Sequence, residues 1–233
     1  MYWAIGIITA GLLAFLVWAS ADVGSGVYLR TLCRRKTDRP VVAVTFDDGP
    51  DPEMTPKVLA VLKKHGVKAA FFLIGAKAEA HPELVCRIVE EGHIAGGHTF
   101  THSPLFPLRN RRSVVRELRD TQQAVEAASG LRPLLFRPPF GVTNPVIGKA
   151  VHQAGLQGIG WSIRSLDTLE GRDREAVCRR IRRRLHKGAV ILLHDRCADA
   201  DLLVEAVIGA VRASGMDFVA LDELFEIECY GKN

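Results

Sequence analysis

The 233-residue chain has only five cysteines, and no two of them stand in a Cys-x-x-Cys pair. Cys33, Cys86, Cys178, Cys197 and Cys229 are scattered, which excludes a zinc ribbon and a dithiol redox motif. Their odd number leaves at least one thiol unpaired within the chain. Aromatic residues are scarce too, at 7%. None forms a stacking platform beside the basic clusters at Arg109, Arg111 and Arg112 or at Arg179, Arg180, Arg182, Arg183, Arg184 and Lys187. That argues against a nucleic-acid reader. Those clusters read as solvated helix faces, with cations favoured near a helix C-terminus. Internal repeats and low-complexity linkers are missing as well.

Charge is absent from residues 3–19, which are almost wholly apolar and show no polar face at any helical spacing. At about 1.5 Å per residue the run has the length of one short membrane crossing. Residues 1–21 are therefore expected to be a signal peptide or a membrane anchor. Ala19-Ser20-Ala21 offers a small-residue cleavage site, but no Lys or Arg precedes the run. The nearest cations, Arg30, Arg34, Arg35, Lys36 and Arg39, follow it in what reads as a basic linker, residues 22–40. Positive charge on that side favours a cytoplasmic C-terminal domain. The net charge of +5 suits an anionic surface such as phospholipid headgroups or an envelope polymer.

From residue 41 onward the composition is that of one globular domain, 41–233, in which short apolar runs alternate with amphipathic segments. Runs 41–46, 69–73, 94–97, 134–137, 158–161, 189–193 and 218–221 are predicted strands. Segments 55–65, 82–91, 113–128, 145–154, 174–185 and 202–214 are predicted helices, the first capped by Gly66 and the second opened by Pro82. About seven strands with six intervening helices are too regular for a sandwich and fit a (β/α) barrel.

Chemistry concentrates at strand mouths. Asp47 and Asp48 end the first of these strands, just before Gly49, Pro50 and Pro52 stop it. Ligands of α/β folds bind at such C-terminal ends. Adjacent side chains there point in different directions, so one carboxylate can hold a cation while the other stays free as a base. His98 and His102 stand four apart, on one face if the segment is helical. Two imidazoles and a carboxylate make a three-ligand site for a catalytic divalent metal, with a position open to water. That donor set suits zinc or cobalt better than magnesium or calcium.

With these motifs in order, the chain resembles the polysaccharide deacetylases of carbohydrate esterase family four. The family's ordered motifs read here as residues 45–50, His98 to His102, Arg137-Pro138-Pro139-Phe140-Gly141, Ser165-Leu166-Asp167 and Leu192-Leu193-His194. The resemblance implies a distorted, incomplete (β/α) barrel and metal-dependent removal of N-acetyl groups from N-acetylhexosamine units of an envelope polysaccharide or peptidoglycan. It places the metal on Asp48, His98 and His102 and the base on Asp47, which Arg137 holds ionised. His194 would protonate the departing amine with support from Asp167. The Phe140 peptide N–H would donate to the oxyanion, and Leu192 would line the acetyl pocket. Substrate location then favours a domain facing outward at the cell envelope, against the charge rule.

The chain departs from the pattern in three places. Phe140 stands where the family usually has Tyr, Arg164 where it has the first Asp of Asp-x-x-Asp-Trp, and Thr168 where it has the Trp. These put subsite shape and substrate choice in question more than catalysis. O-deacetylation is an alternative, since the same oxyanion chemistry serves esters. A non-catalytic glycan-binding relative is another, although all the matched groups are retained. His65, His81, His93, His152 and His186 have no partners in the pattern and read as structural.

Overall fold

The computed structural model describes residues 2–169, 171 and 173–231. In chain order the elements are α1 (Tyr2–Ala21), β1 (Thr31–Leu32), β2 (Val41–Asp47), α2 (Met54–His65), β3 (Ala69–Leu73), α3 (Gly75–Ala80), α4 (Pro82–Glu90) and β4 (Ile94–Gly97). They continue with α5 (Arg111–Ser129), β5 (Leu135–Phe136), α6 (Pro145–Gln153), β6 (Gln157–Ile159) and β7 (Ile163–Arg164). Last come α7 (Arg174–Arg184), β8 (Ala189–His194), α8 (Ala200–Ala213), β9 (Asp217–Phe218) and α9 (Leu221–Phe225).

The strands form one parallel sheet in the order β1-β6-β5-β4-β3-β2-β8-β7, with β9 pairing the start of β2. Among the described residues its end strands, β1 and β7, do not pair, so the barrel stays open. Period-two alternation divides the core. Val42, Val44 and Phe46 face α2 and α8 in one cluster with Val58, Leu59, Leu62, Val204 and Val207. Ala43 turns the other way, into a second cluster with Ala70, Phe72, Leu135, Ile159 and Val190, capped by Leu221, Leu224 and Phe225 of α9. Each fully buried Val, Leu, Ile or Phe among them contributes roughly 1.5–3 kcal/mol of transfer free energy. Thr45 and Asp47 share the parity of Ala43, so pleating alone aims them at the interior.

Boundaries follow the sequence signals closely at α2, where Gly66 caps the helix with φ 64°, and at β3 and β4. Four elements fall outside the expectation: β1, α3, β7 and α9. Residues 218–221, expected as strand throughout, end as strand at Phe218 and enter α9 at Leu221. Residues 22–40, expected as a linker, lie on the body. Thr31 and Leu32 pair with Gly158 and Ile159, and the Arg35 N–H donates to the Gly188 carbonyl at 2.9 Å.

Among the described residues no helix is long and apolar enough to cross a membrane. The expected membrane segment is thus not borne out there. What residues 2–21 form is a continuous helix without a charged side chain. Ile7, Ile8, Leu12 and Leu13 are exposed on it, and Ala19 is buried at its end. That end is tied down where the Thr143 N–H donates to the Ser20 carbonyl at 2.9 Å. The five cysteines are free thiols.

Candidate active site

Asp47 and Asp48 part company at the end of β2. Asp47, the last strand residue, is level with Phe72 of β3 and His194 of β8. Its Oδ1 accepts from Arg137 Nη1 at 2.7 Å. Arg137 is fully buried. It also donates to Thr45 Oγ1 at 2.8 Å and to the Gly160 carbonyl at 2.8 Å, and it stacks on the Phe72 ring at 4.1 Å. Asp48 adopts φ 72°, a region that Asp tolerates better than most residues. Lys77 Nζ donates to its carbonyl at 2.7 Å. The turn swings its carboxylate away from Arg137 and towards the histidines.

Asp48 Oδ1 lies 3.2 Å from His102 Nε2 and 3.5 Å from His98 Nε2. His98 Nδ1 donates to the Arg137 carbonyl at 2.8 Å. A carbonyl can only accept, so that bond puts the ring hydrogen on Nδ1 and leaves the Nε2 lone pair for the site. Ligand atoms of Asp48, His98 and His102 all lie within 4.8 Å of one another, and this nitrogen-nitrogen-oxygen set fits a zinc-type ion. Burial lowers the pKa of His98 despite the nearby aspartates, which keeps the imidazole neutral, as a ligand must be. Burial alone would raise the pKa of Asp48; the electrostatic influence of the His98 ring and the hydrogen bond from Arg196 outweigh it, and the net direction is down.

The two histidines are not on a helix. Residues 98–102 form a loop in which Thr99 (φ 67°) and His102 (φ 48°) are left-handed. Buried Glu117, on α5, holds this loop. Its Oε2 accepts from the Phe100 and Thr101 N–H groups, both at 2.9 Å, and its Oε1 accepts from Thr101 Oγ1 at 2.9 Å and pairs with Arg109. From the other side Gly75 and Ala76 N–H groups donate to the Thr99 and Phe100 carbonyls at 2.9 and 3.0 Å. A Cβ on Gly75 would lie 2.5 Å from the Phe100 ring, so glycine is required there.

Across the site, His194 Nδ1 donates to Asp167 Oδ1 at 2.9 Å, and the His194 N–H donates to Asp167 Oδ2 at 2.8 Å. Ser165 Oγ donates to the same Oδ1 at 2.7 Å. Burial alone would lower the pKa of His194; the hydrogen bond and charge of Asp167, joined by Asp47 and Asp48, raise it. Phe140, at φ 60°, packs its half-exposed ring on His102 with centroids 5.0 Å apart.

A cavity of about 170 Å³ collects Asp47, Asp48, His98, His102, Phe140, Leu192 and His194. Arg137 and Asp167 stand behind it, bonded to Asp47 and His194. Every residue singled out from the sequence is therefore gathered in one place. Sequence reasoning passed over Thr45, Glu117, Trp161 and Arg196. Trp161 and Arg196 also line the cavity, and Arg196 Nε donates to Asp48 Oδ2 at 2.7 Å. Glu117 carried no signal in the sequence beyond being a carboxylate on an amphipathic helix.

Next to the site, Asp195 is fully buried. Its Oδ2 accepts from Thr55 Oγ1 at 2.5 Å, and its Oδ1 has no partner among the described residues. Burial pushes this carboxyl up to about 7. Of the remaining histidines, His93 is held near pKa 4 by burial, edge-on to Phe71.

Comparison with known proteins agrees with this geometry. The family described as polysaccharide deacetylase matches residues 34–159, and the chain belongs to that family. It is 34% identical over 216 residues to the peptidoglycan-N-acetylglucosamine deacetylase PgdA of Listeria monocytogenes, covering 88% of this chain and 45% of that protein. It is 38% identical over 179 residues to the chitooligosaccharide deacetylase of Sinorhizobium fredii, covering 75% and 81%. The solved structure of the Bc1960 peptidoglycan N-acetylglucosamine deacetylase superposes with a TM-score of 0.78 at 31% identity, covering 84% of this chain and 93% of that one. The chain thus spans about half the length of the Listeria relative and most of the other two.

Proposed function

We propose that the protein is a hydrolase that removes N-acetyl groups from N-acetylhexosamine units of a cell-envelope polysaccharide or peptidoglycan. The observation that carries this is the divergence of two adjacent carboxylates. Asp47 is bound to a buried arginine, Asp48 converges with His98 and His102, and the His194–Asp167 pair faces them from the same cavity. The names of the relatives, which are deacetylases of peptidoglycan and chitooligosaccharide, support the substrate class.

Asp48, His98 and His102 would hold a divalent ion, zinc or cobalt by donor type, which when bound supplies Lewis-acid polarisation and a more acidic water. Asp47 takes the proton of the attacking water, and its bond to Arg137 holds the carboxylate in position for that task. As the oxygen adds to the acetamide carbon, negative charge grows on the carbonyl oxygen, and the Phe140 N–H would donate to it. Leu192 lines the acetyl side of the cavity. His194, protonated on both nitrogens, gives its Nε2 proton to the amine as the C–N bond breaks, and Asp167 stabilises the imidazolium until then. Acetate and a free amino sugar leave.

Acetate release from acetylated chitooligomers, peptidoglycan and acetyl-xylan tests the reading. Release from the two N-acetylated substrates is expected. Release from acetyl-xylan alone would make the protein an O-acetyl esterase, and release from none would make it a glycan-binding relative. We place the catalytic domain at the cell envelope, facing outward, where such polymers lie. A C-terminal reporter active only outside the cytoplasm should give signal; a bright cytoplasmic reporter and a silent external one would reverse the orientation.

A further inference from the structure

Two arginines that the hydrolysis does not use, Arg164 and Arg196, line the same cavity as the reacting groups. Each acidic group there already has its own cation. Asp47 is bound to Arg137, and Asp48 is bound to Arg196 and faces two imidazoles. Arg164 is the surplus charge. It sits at the end of β7, level with Leu192, and its side chain is exposed. Its carbonyl accepts from Arg180 Nε at 2.8 Å, but its guanidinium has no hydrogen bond or ion pair among the described residues. Arg196 is partly committed. Its Nε is fixed on Asp48 Oδ2 at 2.7 Å, and its two terminal nitrogens have no partner among the described residues. One guanidinium is therefore held in place with donors to spare, and a second, unpaired among the described residues, lines the same wall.

A neutral acetamido sugar offers these donors acceptors but no countercharge. A guanidinium presents a planar fork of donors that matches a carboxylate, and a charge-assisted bond of this kind is stronger than one to a sugar hydroxyl. We infer that Arg164, with the free nitrogens of Arg196, forms a subsite for a carboxylate carried by the glycan, on the acetylated sugar or on its neighbour in the chain. The substrate would be an N-acetylated polymer bearing uronic acids or carboxyalkyl ethers, and Arg164 would be a specificity residue. This deepens the N-deacetylase reading and rests on it for the nature of the glycan.

The test compares two N-acetylated oligosaccharides of equal length, one neutral and one with a carboxyalkyl ether on alternate sugars. Binding to the full chain is measured by calorimetry and acetate release by assay. The carboxylated oligomer should bind about tenfold more tightly at low salt, a preference that shrinks in 0.5 M salt. Arg164→Gln should bring the ratio of the two affinities close to one, and Arg164→Lys should restore part of it. The variants should fold, since the side chain they alter is exposed. Equal or weaker binding of the carboxylated oligomer by the unmodified protein overturns the inference, as does a preference that survives in Arg164→Gln. Acetate released from both oligomers without a preference would overturn the subsite and leave the deacetylase reading intact. A binding preference without acetate from either would sink the deacetylase reading and support the subsite.

Discussion

Arg137 reaches two site residues by different atoms: its guanidinium bonds Asp47 at 2.7 Å and its carbonyl accepts from His98 at 2.8 Å. One residue thus orients both the proposed base and a proposed metal ligand. It is wholly buried, so deleting it leaves a carboxylate without a counterion in the core. Arg137→Met should destabilise the fold by about 3–5 kcal/mol in urea unfolding. Asp47→Asn added to it should recover much of that loss, because the stranded charge is gone. Equal losses in the single and double variants would mean that packing on Phe72, rather than charge pairing, is what Arg137 provides.

Ligand and base should separate by metal content. His98→Ala is expected to lose bound ion and activity together, whereas Asp47→Asn should keep the ion and lose activity by about a hundredfold or more. Elemental analysis of the purified variants checks this. Chelation should abolish acetate release, and zinc or cobalt should restore it. Full activity in a metal-free preparation would remove Asp48, His98 and His102 from the proposed mechanism.

The carboxylate of Glu117 holds the histidine loop without touching the proposed ion. Glu117→Gln should weaken metal affinity by about 10- to 100-fold, the range found for supporting groups around metal sites, as read by competition with a chromophoric chelator. An unchanged affinity would mean that the loop holds its shape through Gly75 and Ala76 alone.

His194 has a raised pKa, and its protonated form expels the amine. Activity should therefore fall on the alkaline side, as pH rises through the pKa of that group. Asp167→Asn removes the carboxylate that favours the charged ring, so the alkaline limb should move to lower pH while the acid limb stays nearly fixed. An unmoved alkaline limb in the folded, metal-loaded variant would show that Asp167 does not support His194.

Asp195 gives a pH dependence of stability with the opposite sign to that of most carboxylates. Its folded pKa, about 7, lies above the ordinary value of 3.8. The folded state therefore binds the extra proton between those values, and its contribution is complete below the lower one and lost as pH rises through the upper. Stability should fall by up to about 1.4 kcal/mol per pH unit across that window from this group alone. Asp195→Asn should flatten the slope in unfolding measurements at pH 5, 6 and 7. The same slope in the variant would assign it to other groups.

Sequence by itself determined the strand-and-helix rhythm from residue 41, the caps at Gly66 and Pro82, and the nine residues that meet around the cavity. These features are local: a period of two, a turn residue, or a chemical type at a strand mouth. The tertiary structure decided what depends on distance. It placed β1 on β6 and so turned the supposed linker into part of the body, because a two-residue strand carries no period of its own. It made residues 98–102 a loop, with Thr99 and His102 left-handed and the Phe100 and Thr101 N–H groups bound by Glu117 on a later helix. It brought Arg196 to Asp48 across 148 positions of chain and set Arg164 on the cavity wall, unpaired among the described residues. No local pattern contains such pairings; they exist only once the parallel sheet sets β2, β7 and β8 side by side.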